Sequence, residues 1–426
     1  MAVLLGLLPC CGMLGCWQFF LMCFLSAPMV IYRGSLEGYV LGGCWMLDEW
    51  NKSLVFLSLW LGALMMIATS PRKSLCIWGV VFCCVLAFSS FSFFWFYVFF
   101  ELSLVPISIL TLRWGVQPER VSAVYYMVLY TLGGSLPFLV FILACFHWHG
   151  SFFMGFSWNL LSSMGYWGCI GVVVFFIKLP CYPFHLWLTK AHVEAPTAGS
   201  MALAGLLLKL GGLGLMRVFM SYGQLSYSME IFWSAVGIWG GILSSLVCLR
   251  QMDSKSLVAY SSVGHMSLVQ LSILSGSALG WAGALYMMVA HGLCSSGLFS
   301  ALGEYYSKVK SRSMSISSGL GMLFPSTMAW WSALIFFSMS CPPSLTFFSE
   351  VFMGASIVSV FPGFCILFSL LGFLGGAYSL VLFSGISHGV PCSSLAPRFS
   401  GIMKFSYLGL FHSVPLVLLF FFPLFV

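Results

Sequence analysis

"FFIKLPCYPFHLWLTKAHVEAP" runs from Phe175 to Pro196, and the reading of its fourth and sixth residues decides the fold. Lys178 stands inside a hydrophobic run, and Pro180 follows almost at once. A charge at the centre of a membrane helix costs about 2.5–3.5 kcal/mol on insertion scales. Proline removes a backbone donor and clashes with the preceding turn. A chain that accepts both in one place has a use for them: the proline frees backbone carbonyls that can hold water beside the lysine. The stretch reads as a broken membrane helix carrying a site.

The rest of the chain supports a membrane setting. Of its 426 residues 61% are hydrophobic and 6% charged, whereas a soluble domain carries about a quarter charged residues. Apolar runs recur that are long enough to cross a bilayer core of roughly 30 Å. The fold class is an all-α polytopic membrane protein. Hydropathy predicts thirteen spans, near 2–31, 53–70, 74–90, 92–112, 121–146, 165–189, 196–217, 230–249, 256–275, 279–302, 324–360, 363–387 and 407–426. The first is long enough to hide a kink at Pro9, and the eleventh, which contains Pro342-Pro343, reads as one broken helix.

Composition also excludes several functions. The net charge of +7 comes from scattered Lys and Arg, with no basic cluster to grip phosphates, so nucleic acid is not expected as a partner. The 16 cysteines form no CxxC pair and no zinc-spaced set. Pairs such as Cys83-Cys84 lie in apolar runs, where cysteine packs as a small hydrophobe. There is no GxGxxG after a strand, no P-loop, no Fe–S cysteine pattern and no Gly-x-Ser-x-Gly nucleophile, so no redox cofactor and no metal are expected on this chain. The amino end lacks a basic n-region and an Arg-rich transit segment. This predicts synthesis inside the organelle or bacterium that uses the protein.

Lys and Arg in the connections set orientation. Even-numbered connections carry twelve and odd-numbered ones three, which places the amino terminus inside and the carboxyl terminus outside. Spans three to seven and eight to twelve form two sets of five, and an odd number per set inverts the second relative to the first. The fourth member of each is interrupted by proline. Paired broken helices in inverted halves point to a transport site near mid-membrane. The predicted divisions are 1–73, 74–219, 220–387 and 388–426.

Four charges fall near span centres: Glu101, Lys178, Lys209 and Glu350. Unpaired, together they would cost roughly 10 kcal/mol, comparable to the stability of a whole domain. They must face one another or water. Glu101 and Lys178 can pair across neighbouring helices, and a lysine balanced between burial and a carboxylate can gain or lose a proton when that partner moves. The bland alternative is a structural ion pair that only fixes helix packing. Histidines extend the line. His185 and His192 follow Lys178 at seven and fourteen residues, near one face if the helix resumes, and His265 and His291 lie in the second set. Imidazole relays protons near neutral pH, although a lone membrane histidine more often bonds between helices.

"HLWLTKAHVEAPTAGSMALAGLLLKLGGLGLMR" (185–217), "RWGVQPER" (113–120), "DSKSLVAYSSVGHM" (253–266) and "AHGLCSSGLF" (290–299) resemble the antiporter-like subunits of respiratory complex I, NADH:ubiquinone oxidoreductase. "KAHVEAP" resembles the chain 4 branch rather than its paralogues, chains 2 and 5. The resemblance implies fourteen helices with two inverted five-helix repeats, each with one broken helix, so this chain looks one helix short at its amino end. It implies proton-translocation roles for Glu101 in "FFELSLVP", Lys178, Lys209 and Glu350, and relay roles for His265 and His291, with His185 an addition. NADH, FMN, Fe–S clusters and ubiquinone are expected elsewhere in the complex, and chains 2 and 5 and bilayer lipid, cardiolipin included, as partners. The pattern departs from the family at Thr189, where proline is usual, and at Thr346 and Ser349, where Asn and Gly are usual.

The leading expectation is a proton-translocating subunit in the mitochondrial inner membrane, amino terminus on the matrix side, driven by electron transfer elsewhere in the complex. The rivals are a subunit of a cation/proton antiporter and a structural spacer of the membrane arm.

Overall fold

The computed structural model describes residues 44–154, 166–391 and 402–421, with 18, 20–22 and 39–40 besides. The predicted span 2–31, with its kink at Pro9, lies almost wholly outside the described residues. A two-residue antiparallel pair, β1 (Tyr39–Val40) and β2 (Met46–Leu47), precedes a run of helices.

First come α1 (Glu49–Ala68) and α2 (Ser74–Ser89). Then α3 (Phe93–Leu102) and α4 (Leu104–Trp114) make one span interrupted at Ser103, followed by α5 (Arg120–His149). The first broken helix consists of α6 (Tyr166–Lys178) and α7 (Leu186–Glu194). Next, α8 (Thr197–Ala202), a π-helical turn (Leu203–Leu207) and α9 (Leu208–Tyr222) continue as one span. The second set holds α10 (Tyr227–Leu249), α11 (Ser254–Leu274) and α12 (Ala278–Val309). After the short α13 (Leu320–Leu323), the second broken helix is α14 (Pro325–Ser338) with α15 (Leu345–Val360). The chain closes with α16 (Cys365–Ser387) and α17 (Ile402–Phe421).

Among the described residues, ten helices are long and apolar enough to cross a membrane, and most of α6 and all of α15 are shorter apolar helices. Each predicted span from 53–70 to 407–426 falls on one of these helices or helix pairs. Both sets run as three spans, a broken helix and a further span. The first break lies where Pro180 was expected to put it, and the second spans Met339 to Ser344, around Pro342-Pro343.

Burial ranks the helices. The apolar window of α12 is 100% buried and that of the α8–α9 span 94%, against 28% for α16. The central pair is rich in small residues, which let backbones meet. A Cβ added at Gly292 would stand 3.4 Å from the Gly205 carbonyl oxygen and 2.8 Å from Leu57 of α1. Serines such as Ser296 and Ser300 stay in the dry interior by donating to their own helix, to Leu293 O at 3.1 Å and Gly297 O at 2.8 Å. On the outer helices apolar side chains point away from the bundle, as Tyr125, Leu129, Leu136 and Val140 do along α5. Cys83 and Cys84 are buried, as their apolar run predicts.

Two contacts hold the central span in place. Arg217, near the end of α9, pairs with Asp48 at 2.6 Å, tying that end to the amino terminus of α1. Midway, Gly214 admits the ring of Phe175, which stacks edge-on against Phe138 at 5.0 Å and Phe100 at 6.3 Å. A Cβ at Gly214 would lie 2.1 Å from that ring. Gly214→Ala is therefore expected to destabilise the folded chain by about 1–3 kcal/mol, as overpacking does. A lowered temperature of inactivation in the assembled protein would register it; an unchanged one would show that the ring has room to move.

Candidate functional site

The first break frees carbonyls as expected, but protein groups take several of them. Leu179 N–H donates to Phe175 O at 2.7 Å and Cys181 N–H to Phe176 O at 3.0 Å. The Trp187 indole, on the resumed helix α7, donates to Ile177 O at 2.9 Å. An indole thus occupies a carbonyl where the sequence suggested water.

Lys178 ends α6 and is 1% exposed. Its ammonium lies 4.2 Å over the Phe100 ring, a cation–π contact, and has no hydrogen-bond partner among the described residues. Glu101, next to Phe100 and one residue from the end of α3, is half-buried beside Ser135 of α5. It interacts electrostatically with Lys178. The two do not form the direct ion pair the sequence suggested: among the described residues only Arg217–Asp48 and Arg312–Glu194 come within 4.0 Å. The Phe100 ring occupies the face that a carboxylate would have used.

Lys209 is fully buried in α9. Its ammonium donates to Ala204 O, inside the π-helical turn, and to His291 Nδ1 at 3.0 Å. A π turn widens the helix and displaces its bonding by one residue, which here brings a carbonyl within reach of the lysine five positions on. Because the ammonium is the donor, His291 Nδ1 is the acceptor, and in neutral imidazole the proton then resides on Nε2. The His265 ring stands 5.7 Å from the His291 ring.

Both histidines line a cavity of about 10 Å³, with Ser261, Ser295, Ser338 and Thr346 among its walls. That is about the volume one water centre needs. Ser338 and Thr346 flank the second break, so the cavity lies between Lys209 and the helix that carries Glu350. Thr346 also donates to the freed Phe337 O at 2.7 Å, and Ser349 to Thr346 O at 2.6 Å. The two residues that depart from the family pattern therefore satisfy backbone at the break. Glu350 sits half-buried one residue further along, beside Ser340 and Tyr378.

The structure separates the two histidines that follow Lys178. His185 stacks on Tyr182 at 4.8 Å, inside the break. His192, fully buried, stacks on Phe299 of α12 at 4.6 Å, and neither ring nitrogen has a hydrogen-bond partner among the described residues. It shares the electrostatic neighbourhood of Lys209 and His291. Next to it, Glu194 pairs with Arg312 at 3.1 Å, and Lys255 donates to Ala195 O at 3.1 Å. Arg312 also reaches Gln117 at 3.4 Å, while its carbonyl accepts from Ser254 N at 3.1 Å. In the sequence Arg312, Glu194 and Lys255 carry no mark beyond flanking a broken or small-residue-rich span. The π turn left no distinct mark either, since Leu203–Leu207 carries no proline and its one glycine, Gly205, is an ordinary residue of packed membrane helices. Among the described residues no group of His, Cys, Asp and Glu is arranged to hold a metal.

These features define a polytopic membrane protein with two broken helices and a buried polar line joining them. The model of the family described as NADH:quinone oxidoreductase/Mrp antiporter, TM, matches residues 90–375, and the chain belongs to this family. The relatives named NADH-ubiquinone oxidoreductase chain 4 include one from Ceratitis capitata, 37% identical and covering 96% of this chain and 95% of its own length. One from Artemia franciscana is 45% identical over 71% of this chain and 77% of its own. In three dimensions the fold is similar to a chain of respiratory complex I from Thermus thermophilus, with a TM-score of 0.84 at 23% identity, covering 96% of this chain and 91% of that one. It is also similar to a chain of an Mrp complex from Dietzia sp., with a TM-score of 0.83 at 15% identity, covering 96% and 88%.

Trp187→Phe leaves Ile177 O without its donor at the first break. The expected cost is about 1–3 kcal/mol, that of a buried unpaired polar group. Faster hydrogen exchange through residues 177–188, measured by mass spectrometry, would register it. Unchanged exchange would mean that another donor replaces the indole.

Proposed function

We propose that this chain is a proton-translocating membrane-arm subunit of respiratory complex I, driven by electron transfer from NADH to ubiquinone in other subunits. The observation that carries the reading is the buried run Lys209–His291–cavity–His265, which ends at the second broken helix. Apart from Lys209 its members are neutral donors and acceptors, so a proton can pass along it without a redox group.

In this scheme Glu101 and Lys178 form the input. Lys178 keeps its proton while Glu101 is near, and releases it toward Lys209 when the two move apart. His291, His265 and a water in the cavity carry it toward Glu350, with His185 beside the first break as an accessory relay. The domain divisions 74–219 and 220–387 correspond to two inverted repeats, each with one broken helix. NADH, FMN and Fe–S clusters would reside in other subunits. Chains 2 and 5 and cardiolipin are the proposed membrane-arm neighbours. Relatives from animal sources named as chain 4 support residence in the mitochondrial inner membrane. The excess of Lys and Arg in even-numbered connections supports an amino terminus on the matrix side and a carboxyl terminus on the intermembrane-space side.

A second reading, a cation/proton antiporter subunit, draws on the likeness to the Mrp complex. Sodium-dependent proton flux in vesicles would favour it. A structural spacer, by contrast, requires that neutralising Glu101 or Glu350 change assembly and leave proton yield intact.

Lys178→Met keeps length and apolar bulk while removing the charge. It is expected to lower protons moved per electron by several-fold while the complex still assembles, and Glu350→Gln is expected to do the same. Native gels and proton uptake in sealed vesicles read the two quantities together. Normal pumping by an assembled Lys178→Met complex would refute the scheme.

A further inference from the structure

Two of the buried polar side chains on α11, His265 and Gln270, face different ways. His265 lines the cavity, and Gln270, five residues on, points about 140° away around the helix. Gln270 is fully buried. Its amide nitrogen donates to Trp233 O of α10 at 3.1 Å, which fixes the orientation of the carboxamide, since a carbonyl accepts only from the NH2 end. Its oxygen is buried with no hydrogen-bond partner among the described residues.

The first break lies beside this carboxamide. Cys181 lies beside Gln270. Phe176, two residues before Lys178, stacks on Trp233 at 4.3 Å. Tyr182 lies against Gly240, where an added Cβ would come within 2.4 Å of its own Cβ. Gly237 makes room for the carboxamide itself, with an added Cβ 3.1 Å from Nε2. The unwound segment therefore rests against α10 at Gly240, while Gly237 seats the Gln270 carboxamide beside Cys181, and the helix of Gln270 bears His265 on its other side.

We propose that Gln270 is a positioning residue for proton transfer: it holds the unwound segment after Lys178 against α10 and passes movement there to His265 across α11. The inference rests on the proton-translocating reading above. The Cys181 thiol donates to Tyr182 O at 3.5 Å in this structure; turned toward the carboxamide oxygen, it or a water at the break would donate there, so the contact makes and breaks as the segment shifts. A leucine would fill the space and offer neither bond. A protonated glutamate keeps both a donor for Trp233 O and an acceptor for the break.

The test uses the assembled complex in sealed vesicles, with electron transfer measured uncoupled and proton yield per electron measured coupled. Gln270→Leu is expected to leave uncoupled electron transfer near normal while proton yield falls by about half or more. Gln270→Glu is expected to restore most of it. Gly237→Ala, which crowds the carboxamide without removing it, should give an intermediate loss. If Gln270→Leu does not assemble, Gln270→Met and Gly237→Ala carry the same comparison. Full proton yield in any assembled variant lacking the carboxamide overturns the proposal, as does a Gln270→Glu variant no better than Gln270→Leu. Lys178→Met, run alongside, separates the two claims. If it too pumps normally, the proton reading fails; if it alone loses yield, only the role of Gln270 does.

Discussion

A buried ammonium sets the terms for the centre of this molecule. Among the described residues Lys209 has no carboxylate beside it; it is met by one backbone carbonyl and one imidazole nitrogen. Each of these requires something of a different helix. The carbonyl is within reach because the helix widens by a π turn, and the imidazole because α12 approaches closely at Gly292 and Gly205. The small residues that make the central pair so deeply buried are the same ones that let the lysine be solvated by protein. Isolated burial of such a charge would cost several kcal/mol, so packing and site stand or fall together.

The two breaks are finished differently. At the first, an indole from the resumed helix takes a freed carbonyl and a phenyl ring covers the lysine, so that Lys178 is held largely by apolar and π contacts. At the second, Ser344, Thr346 and Ser349 bond to one another and to the freed backbone. The first break thus leaves its charge poorly solvated and the second leaves hydroxyls beside a water-sized space. A proton held at the first has reason to move toward the second.

Much of this was legible in the sequence because hydropathy, proline and isolated charge are local signals. The spans after residue 50, both breaks and the four intramembrane charges can be read from residue type and spacing alone. What escaped depended on three-dimensional approach. The direct Glu101–Lys178 pair was inferred from sign and neighbourhood, but Phe100, adjacent to Glu101 in sequence, takes the space between. His192 and His185 share a sequence spacing from Lys178, yet the break turns one toward Phe299 and the other toward Tyr182. Gln270 gave no sign, because a single glutamine in an apolar helix means nothing until its neighbours are known. The Arg312–Glu194 contact joins segments 118 residues apart, beyond the reach of any local pattern.

The α9 span is fastened at both ends. Arg217 pairs with Asp48 about 12 Å along the axis from Lys209, and at the other end Thr197 packs against Gly303, where an added Cβ would lie 1.9 Å from its methyl group. A rod clamped at both ends does not slide or turn easily. Changes at Lys209 are then swings of a flexible side chain, which take picoseconds to nanoseconds when free, rather than travel of a whole helix, which takes microseconds to milliseconds. In the proposed scheme the clock of the central step would then be how often His291 and Ala204 release the ammonium.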